Sequence, residues 1–236
     1  MKTDNLDLVY IVGNAKENEE LRWSLRSIAE NLPHKEVWIF GGRQPWLWQV
    51  YLGEPEQVGT DKWSRASSSF HNIAKCQKLS DNFILMNDDF FVMKPVSELK
   101  PMYNGTLEDL FKRRNRPNPK AGSFEYRIKN AIDFCRERNL PTNNYELHVP
   151  MIMNKEKLAR LLAVKPDGAA TRSAYGNFYR IGGVESQDVK RFGFKAGIEK
   201  MTLVSTEPDA FCAGEAGRQI RDRFRHRCKY ERPNTI

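Results

Sequence analysis

Long apolar runs are missing from this 236-residue chain: nothing in it approaches the roughly 18 consecutive apolar residues that a membrane helix needs. Met1 to Asp7 is polar and mixed in charge, so no secretory signal precedes the first apolar stretch, and the expected location is cytoplasmic. Cysteine is sparse as well. Cys76, Cys135, Cys212 and Cys228 are widely spaced and form no Cys-x-x-Cys pair, which argues against a zinc knuckle or a redox motif and leaves reduced structural thiols as the expectation. Internal repeats and low-complexity linkers are also lacking. A composition of 40% hydrophobic and 29% charged residues is that of a globular protein long enough for one large α/β domain.

The formal charge of +8 is unevenly spread. Residues 1 to 100 hold 12 Lys and Arg against 14 Asp and Glu, a net of −2, which leaves +10 for the remainder. Residues 112 to 138 carry nine basic and three acidic side chains, including Lys112-Arg113-Arg114-Asn115-Arg116; the tail from Ala213 carries seven against three, including Arg218, Arg221, Arg223, Arg225 and Arg227. Such clusters suit a polyanionic partner, DNA among them, and equally suit a solvated face.

The most informative segment is Phe83-Ile84-Leu85-Met86-Asn87-Asp88-Asp89-Phe90-Phe91. It reads as a buried strand that stops at two adjacent carboxylates. A buried carboxylate without a partner costs several kcal/mol or protonates. A divalent cation would satisfy it, because a short acidic step supplies hard oxygen ligands and leaves room for waters and substrate phosphates. Alternatively, Asp88 and Asp89 cap a turn after the strand.

Around this segment the pattern is that of a nucleotide-binding α/β arrangement. Leu6 to Gly13 reads as a first strand ending at Gly13-Asn14, a turn that permits close approach of a ligand. Glu19 to Asn31 has Leu21, Leu25, Ile28 and Ala29 at helical spacing, and Glu36 to Phe40 is a second strand stopped by Gly41-Gly42. Strand, helix and strand make a crossover unit, and ligands of open α/β sheets collect at the carboxyl ends of such strands. A helix is expected over Ser67 to Lys78 before the acidic strand. Beyond Pro95 the pattern predicts helices over Thr106 to Arg114, Phe124 to Asn139 and Asn154 to Leu162, with Arg116-Pro117-Asn118-Pro119 as a basic loop. The expected organisation is one catalytic domain, residues 1–100 forming a nucleotide- and metal-binding half and residues 101–236 a basic acceptor-side half.

Leu21-Arg22-Trp23-Ser24-Leu25-Arg26-Ser27-Ile28 resembles the helix signature of the Stealth-type sugar-phosphate transferases, which include capsular polysaccharide phosphotransferases. Asp7-Leu8-Val9-Tyr10, Gln44-Pro45-Trp46-Leu47 and Leu79 to Asp89 are similar to that family's opening strand, loop and metal-site block. His148-Val149-Pro150 with Thr171 to Asp188 is similar to its third block. The matches fall in order over most of the chain. What the resemblance implies is a glycosyltransferase-A type fold: a Rossmann-like mixed sheet flanked by helices, with a helical and loop elaboration on the acceptor side.

Carried onto this sequence, Asp88 and Asp89 would hold Mn²⁺ or Mg²⁺ against the donor diphosphate, with His148 as a further metal or phosphate ligand. Tyr10, Val12, Gly13, Arg22, Arg26 and Asn87 are the expected donor-binding positions. Asp188 is the candidate general base, with Glu185 as its rival. The family's late acidic block and its C-terminal aromatic-Ser-Glu tail have no counterpart here, Phe224 to Pro233 being Arg-rich. The first expectation is therefore metal-dependent transfer of a sugar from a nucleotide-sugar, a UDP-sugar first, to an acceptor hydroxyl. A hydroxymethylated base in DNA is the sharpest version of that acceptor. Sugar-1-phosphate transfer to a glycan and polyanion binding on an inactive transferase scaffold are the alternatives.

Overall fold

A computed structural model describes residues 1–14, 17–55, 58–59, 62–192 and 197–233. Its first half contains β1 (Asp7–Val12), α1 (Glu19–Asn31), β2 (Val37–Gly41), β3 (Tyr51–Leu52), α2 (Lys62–Lys75), β4 (Asn82–Asn87), β5 (Phe90–Val92), β6 (Met102–Tyr103) and α3 (Leu107–Arg114). There follow α4 (Phe124–Arg136), β7 (Met151–Asn154), α5 (Lys155–Val164), α6 (Thr171–Phe178), β8 (Val184–Glu185), β9 (Lys190–Arg191), β10 (Leu203–Thr206), α7 (Pro208–Cys212) and α8 (Glu215–Arg223).

The expected mixed α/β class is what the chain adopts. Five strands form a sheet in the order β3-β2-β1-β4-β7; the first four run parallel and β7 returns antiparallel beside β4. Period-two alternation sends β1 side chains to opposite faces. Leu8, Tyr10 and Val12 pack with Leu21, Leu25 and Ile28 of α1 on one face. Val9 packs on the other with Phe70 and Ile73 of α2, Phe134 of α4 and Leu158 and Leu161 of α5. Both faces are covered, which is why β1, β2 and β4 read as nearly continuous apolar runs.

A smaller sheet, ordered β5-β10-β9, continues directly from the acidic step. β10 is antiparallel to β5 and parallel to β9, so Ser205 lies opposite both Phe90 and Lys190. Its outer side packs Phe91, Met93 and Val204 against Phe211, Ala216, Ile220 and Phe224 of the α7–α8 region.

Boundaries differ from expectation in three helices: α2 begins at Lys62 rather than Ser67, α5 runs on to Val164 rather than Leu162, and α2 and α4 end early. α2 stops at Lys75 rather than Lys78, because the Cys76 N–H bonds three residues back to the Ile73 carbonyl and closes the helix. α4 stops at Arg136 rather than Asn139, where further short-range bonds lead into Asn139 with a left-handed φ of 51°. Thr106, Ser123 and Asn154 cap α3, α4 and α5, each accepting a backbone N–H through its side-chain oxygen. Among the described residues no helix is long and apolar enough to cross a membrane.

Candidate active site

The carboxyl ends of β1, β2 and β4 meet at one edge of the main sheet. At Gly42 a Cβ would lie 2.1 Å from the Gly13 carbonyl oxygen, so the turns after β1 and β2 are packed backbone to backbone. Among the described residues, a Cβ on Gly13 would meet nothing within 4 Å, so that side of the turn is open to them. β4 ends at Asn87, and Asp88-Asp89 forms the turn into β5.

Each carboxylate is held by a different part of the fold. Asn18, the N-cap of α1, accepts the Leu21 N–H through Oδ1 at 2.9 Å and donates through Nδ2 to Asp88 Oδ2 at 2.6 Å. That bond sets Asp88 beside the N-terminus of a 13-residue helix, where its dipole favours an anion. Asp89 Oδ2 accepts from the Lys190 ammonium and from the Ser205 hydroxyl, the latter at 3.0 Å. Asp89 Oδ1 is buried and accepts no hydrogen bond among the described residues.

Glu20 in the first turn of α1 joins the acids, its Oε1 accepting from Thr206 Oγ1 at 3.0 Å. Burial pushes its carboxyl up to about 7; the Thr206 bond opposes this, and the nearby charges of Asp89 and Asp88 reinforce it.

β7 begins beside the end of β4, and the residues entering it bring His148 to the same edge. His148 Nδ1 lies 2.7 Å from Asp188 Oδ2, and the His148 backbone N–H donates to Asp188 Oδ1 at 3.0 Å. Burial alone would raise the Asp188 carboxyl. The His148 hydrogen bonds and charge, with the Lys190 N–H, hold it below the usual range. In the neutral ring, with Nδ1 donating to Asp188, His148 Nε2 carries the lone pair. The imidazole stands edge-on to Phe90, with centroids 6.1 Å apart.

Arg172 of α6 also lies buried against the Phe90 ring, its guanidinium carbon 5.8 Å from the centroid. It donates to the Val149 carbonyl, and to the Tyr145 carbonyl at 3.3 Å, while Nη1 is buried with no partner among the described residues. Burial lowers its pKa, and the charges of Glu146, Asp188 and Asp89 oppose that shift. The acidic step and the His148–Asp188 pair therefore share one electrostatic environment.

The remaining expected positions separate. Arg26 is not free to meet a diphosphate: Nε and Nη2 each donate to Glu231 at 2.7 Å, and Nη1 donates to the carbonyls of Phe224 and Arg225. Arg22 turns toward the same quarter, 4.7 Å from the Trp46 ring centroid and 3.8 Å from Glu231. Tyr10 and Val12 are fully buried; the Tyr10 hydroxyl meets Ser24 Oγ at 2.8 Å inside the core. Asp188 is engaged on both oxygens by His148, and Glu185 is exposed in the separate β6-β8 pair.

The helix signature has a structural use. Ser24 Oγ donates to the Phe90 carbonyl at 2.5 Å, the Val92 N–H donates to Ser27 Oγ at 3.0 Å, and Asn31 Nδ2 donates to the Val92 carbonyl at 2.8 Å. One polar stripe of α1 thereby fixes β5 and the turn preceding it. Asn18, Glu20, Lys190, Ser205 and Arg172 were not singled out from sequence. Asn18 alone carried a local signal, an Asn directly before a Glu-Glu helix start.

Part of the basic charge is paired within the chain. Arg114 and Arg116 approach Glu125, Arg136 pairs with Glu108, Arg218 bridges Glu215 and Asp222, and Arg223 pairs with Glu30. Lys112, Arg113 and Arg225 are exposed.

Three comparisons bear on this arrangement. No family model matches the chain, and no curated protein matches it. The solved structure of the apo-form glycosyltransferase GlyE from Streptococcus pneumoniae TIGR4 is similar over 93% of this chain and 60% of its own, with a TM-score of 0.47 and 10% identity. The chain thus spans about 60% of the length of that protein, and the likeness concerns the outline of the fold alone.

Proposed function

We propose that the chain is a glycosyltransferase that moves a sugar from a nucleotide-sugar, a UDP-sugar first, to an acceptor hydroxyl with the help of Mn²⁺ or Mg²⁺. The observation that carries this reading is the Asp88-Asp89 turn at the carboxyl end of β4, which keeps on Asp89 a buried carboxylate oxygen with no partner among the described residues, linked through Lys190 to the His148–Asp188 pair. Among the described residues no three His, Cys, Asp or Glu side chains form a ready-made metal cage. Two carboxylates still suit a hard cation whose other ligands are water and substrate phosphates. Asp88 and Asp89 would hold the ion, which when bound would neutralise charge on the departing diphosphate.

The chain's own groups have distinct tasks in this reading. The open side of Gly13 admits the donor, and the buried Arg172 adds fixed positive potential. His148 Nε2 takes the proton of the acceptor hydroxyl as its oxygen attacks the anomeric carbon and the bond to the diphosphate breaks. Asp188 orients the imidazole and stabilises its charged form. The acceptor we propose is a polyanion, DNA with a hydroxymethylated base being the form to test first, reached through the exposed Lys112, Arg113 and Arg225.

The test is a thermal-shift titration with UDP-, GDP-, ADP- and TDP-sugars, with and without Mn²⁺, beside Asp88→Ala. A Mn²⁺-dependent shift with one donor, lost in the variant, is expected. Equal shifts in wild type and variant, or none with any donor, would remove the proposal.

A further inference from the structure

Asp89 presents its two oxygens to different surroundings. Oδ2 is occupied by the Lys190 ammonium and the Ser205 hydroxyl, and Oδ1 has no partner among the described residues. The Asp89 and Lys190 side chains are 14% and 13% exposed, so water screens their attraction only weakly. The position of the ammonium is built into the fold. Lys190 and Ser205 face one another across the β9–β10 pairing, and β10 is paired in turn with β5, whose first residue follows Asp89. The Lys190 backbone N–H also reaches Asp188 Oδ1 at 3.4 Å, tying the strand to the His148–Asp188 pair.

We propose that Lys190 is a built-in counter-cation that weakens the binding of a divalent ion to the free chain and makes that binding depend on the phosphates of the donor. The inference rests on the metal site proposed above. A divalent ion using Asp89 Oδ1 shares a carboxylate with an ammonium already seated on the other oxygen. The two positive charges repel, and the carboxylate has given part of its charge to Lys190. Expelling the ammonium instead breaks a largely buried ion pair, which is costly. Donor phosphates relieve both difficulties, since they bring negative charge to the ion and to Lys190 together. Metal and donor then bind as a unit, and the acids of the free chain are spared from capturing ions without substrate.

The experiment measures Mn²⁺ affinity by calorimetry on the full chain without nucleotide, comparing wild type, Lys190→Gln and Lys190→Arg. Gln keeps a donor for Asp89 and removes the charge; Arg keeps the charge. At least tenfold tighter Mn²⁺ binding is expected in Lys190→Gln, with Lys190→Arg remaining near wild type. Thermal melts of all three establish folding, and should Lys190→Gln fail to fold, Lys190→Met is read against the same criterion. Measurable wild-type binding that is unchanged or weaker in the uncharged variant overturns the role of Lys190 and leaves the metal site standing. No Mn²⁺ binding by any variant, with or without UDP, overturns the metal site and this inference with it.

Discussion

His148 and Asp188 meet twice: imidazole Nδ1 lies 2.7 Å from one carboxylate oxygen, and the His148 backbone N–H donates to the other at 3.0 Å. The second bond fixes the carboxylate on the backbone of the residue whose ring it orients, so the ring has little freedom to turn away. Asp188 is thereby better placed to position a base than to be one.

Replacing Asp188 with Asn should leave the fold intact and reverse the hydrogen-bond preference at Nδ1. The wrong tautomer would then be favoured, with a proton on Nε2. Turnover is expected to fall about 10²- to 10⁴-fold with little change in donor affinity, judged from the effect of an orienting carboxylate in other acid–base sites. Steady-state sugar transfer and donor titration on the same preparation check it. A proportionate loss of donor binding would mean that Asp188 serves the donor site instead.

The Arg26–Glu231 pair governs stability. It joins the middle of α1 to a C-terminal segment that is also bonded by backbone from Trp48 to Tyr230 and from Arg232 to Trp46, both at 2.9 Å. Glu231→Gln should cost about 3 kcal/mol in denaturant unfolding, because it leaves a buried guanidinium without its counter-ion. A pH signature accompanies it. Burial raises the Glu231 carboxyl, but the bond from Arg26, the Cys228 N–H and the two arginine charges together hold it below the ordinary glutamate value. A depressed carboxyl stabilises the fold fully above its unfolded value of about 4.3. The contribution is lost as the pH falls through the lower folded value. The stability difference between wild type and Glu231→Gln should therefore shrink in acid, and a difference independent of pH would exclude this account.

How far the sequence could be read follows from the range of each interaction. β1, α1, β2 and β4 announced themselves because apolar periodicity and turn residues are local, and Asp88-Asp89 stood out because two acids end an apolar strand. The expectation of Arg26 as a donor ligand fails for the opposite reason: Glu231 is 205 residues away, and an arginine on a helix carries no mark of a distant partner. Lys190 and Ser205 lie in strands of two and four residues, too short for periodicity to signal, and they reach Asp89 only when the β5-β10-β9 sheet assembles. Arg172 was visible only as part of a Ser- and Arg-bearing segment; its burial beside Phe90 depends on α6 packing behind the sheet.

Acceptor binding offers the sharpest separation between a polyanion and a neutral glycan. Part of the basic charge of residues 112 to 138 and of the tail is paired within the chain, and the exposed Lys112, Arg113 and Arg225 are the groups put forward for phosphates. If Lys112, Arg113 and Arg225 each neutralise one phosphate, about three counter-ions are released, and affinity for duplex DNA should fall roughly 40-fold between 50 and 200 mM salt. Each replacement by Gln should flatten the slope by about one unit while leaving the Mn²⁺-dependent donor shift unchanged. Fluorescence anisotropy with a labelled duplex over a salt series measures both quantities. A slope near zero, or one that the three substitutions do not alter, would exclude a DNA acceptor at these residues and direct the acceptor search to uncharged glycans.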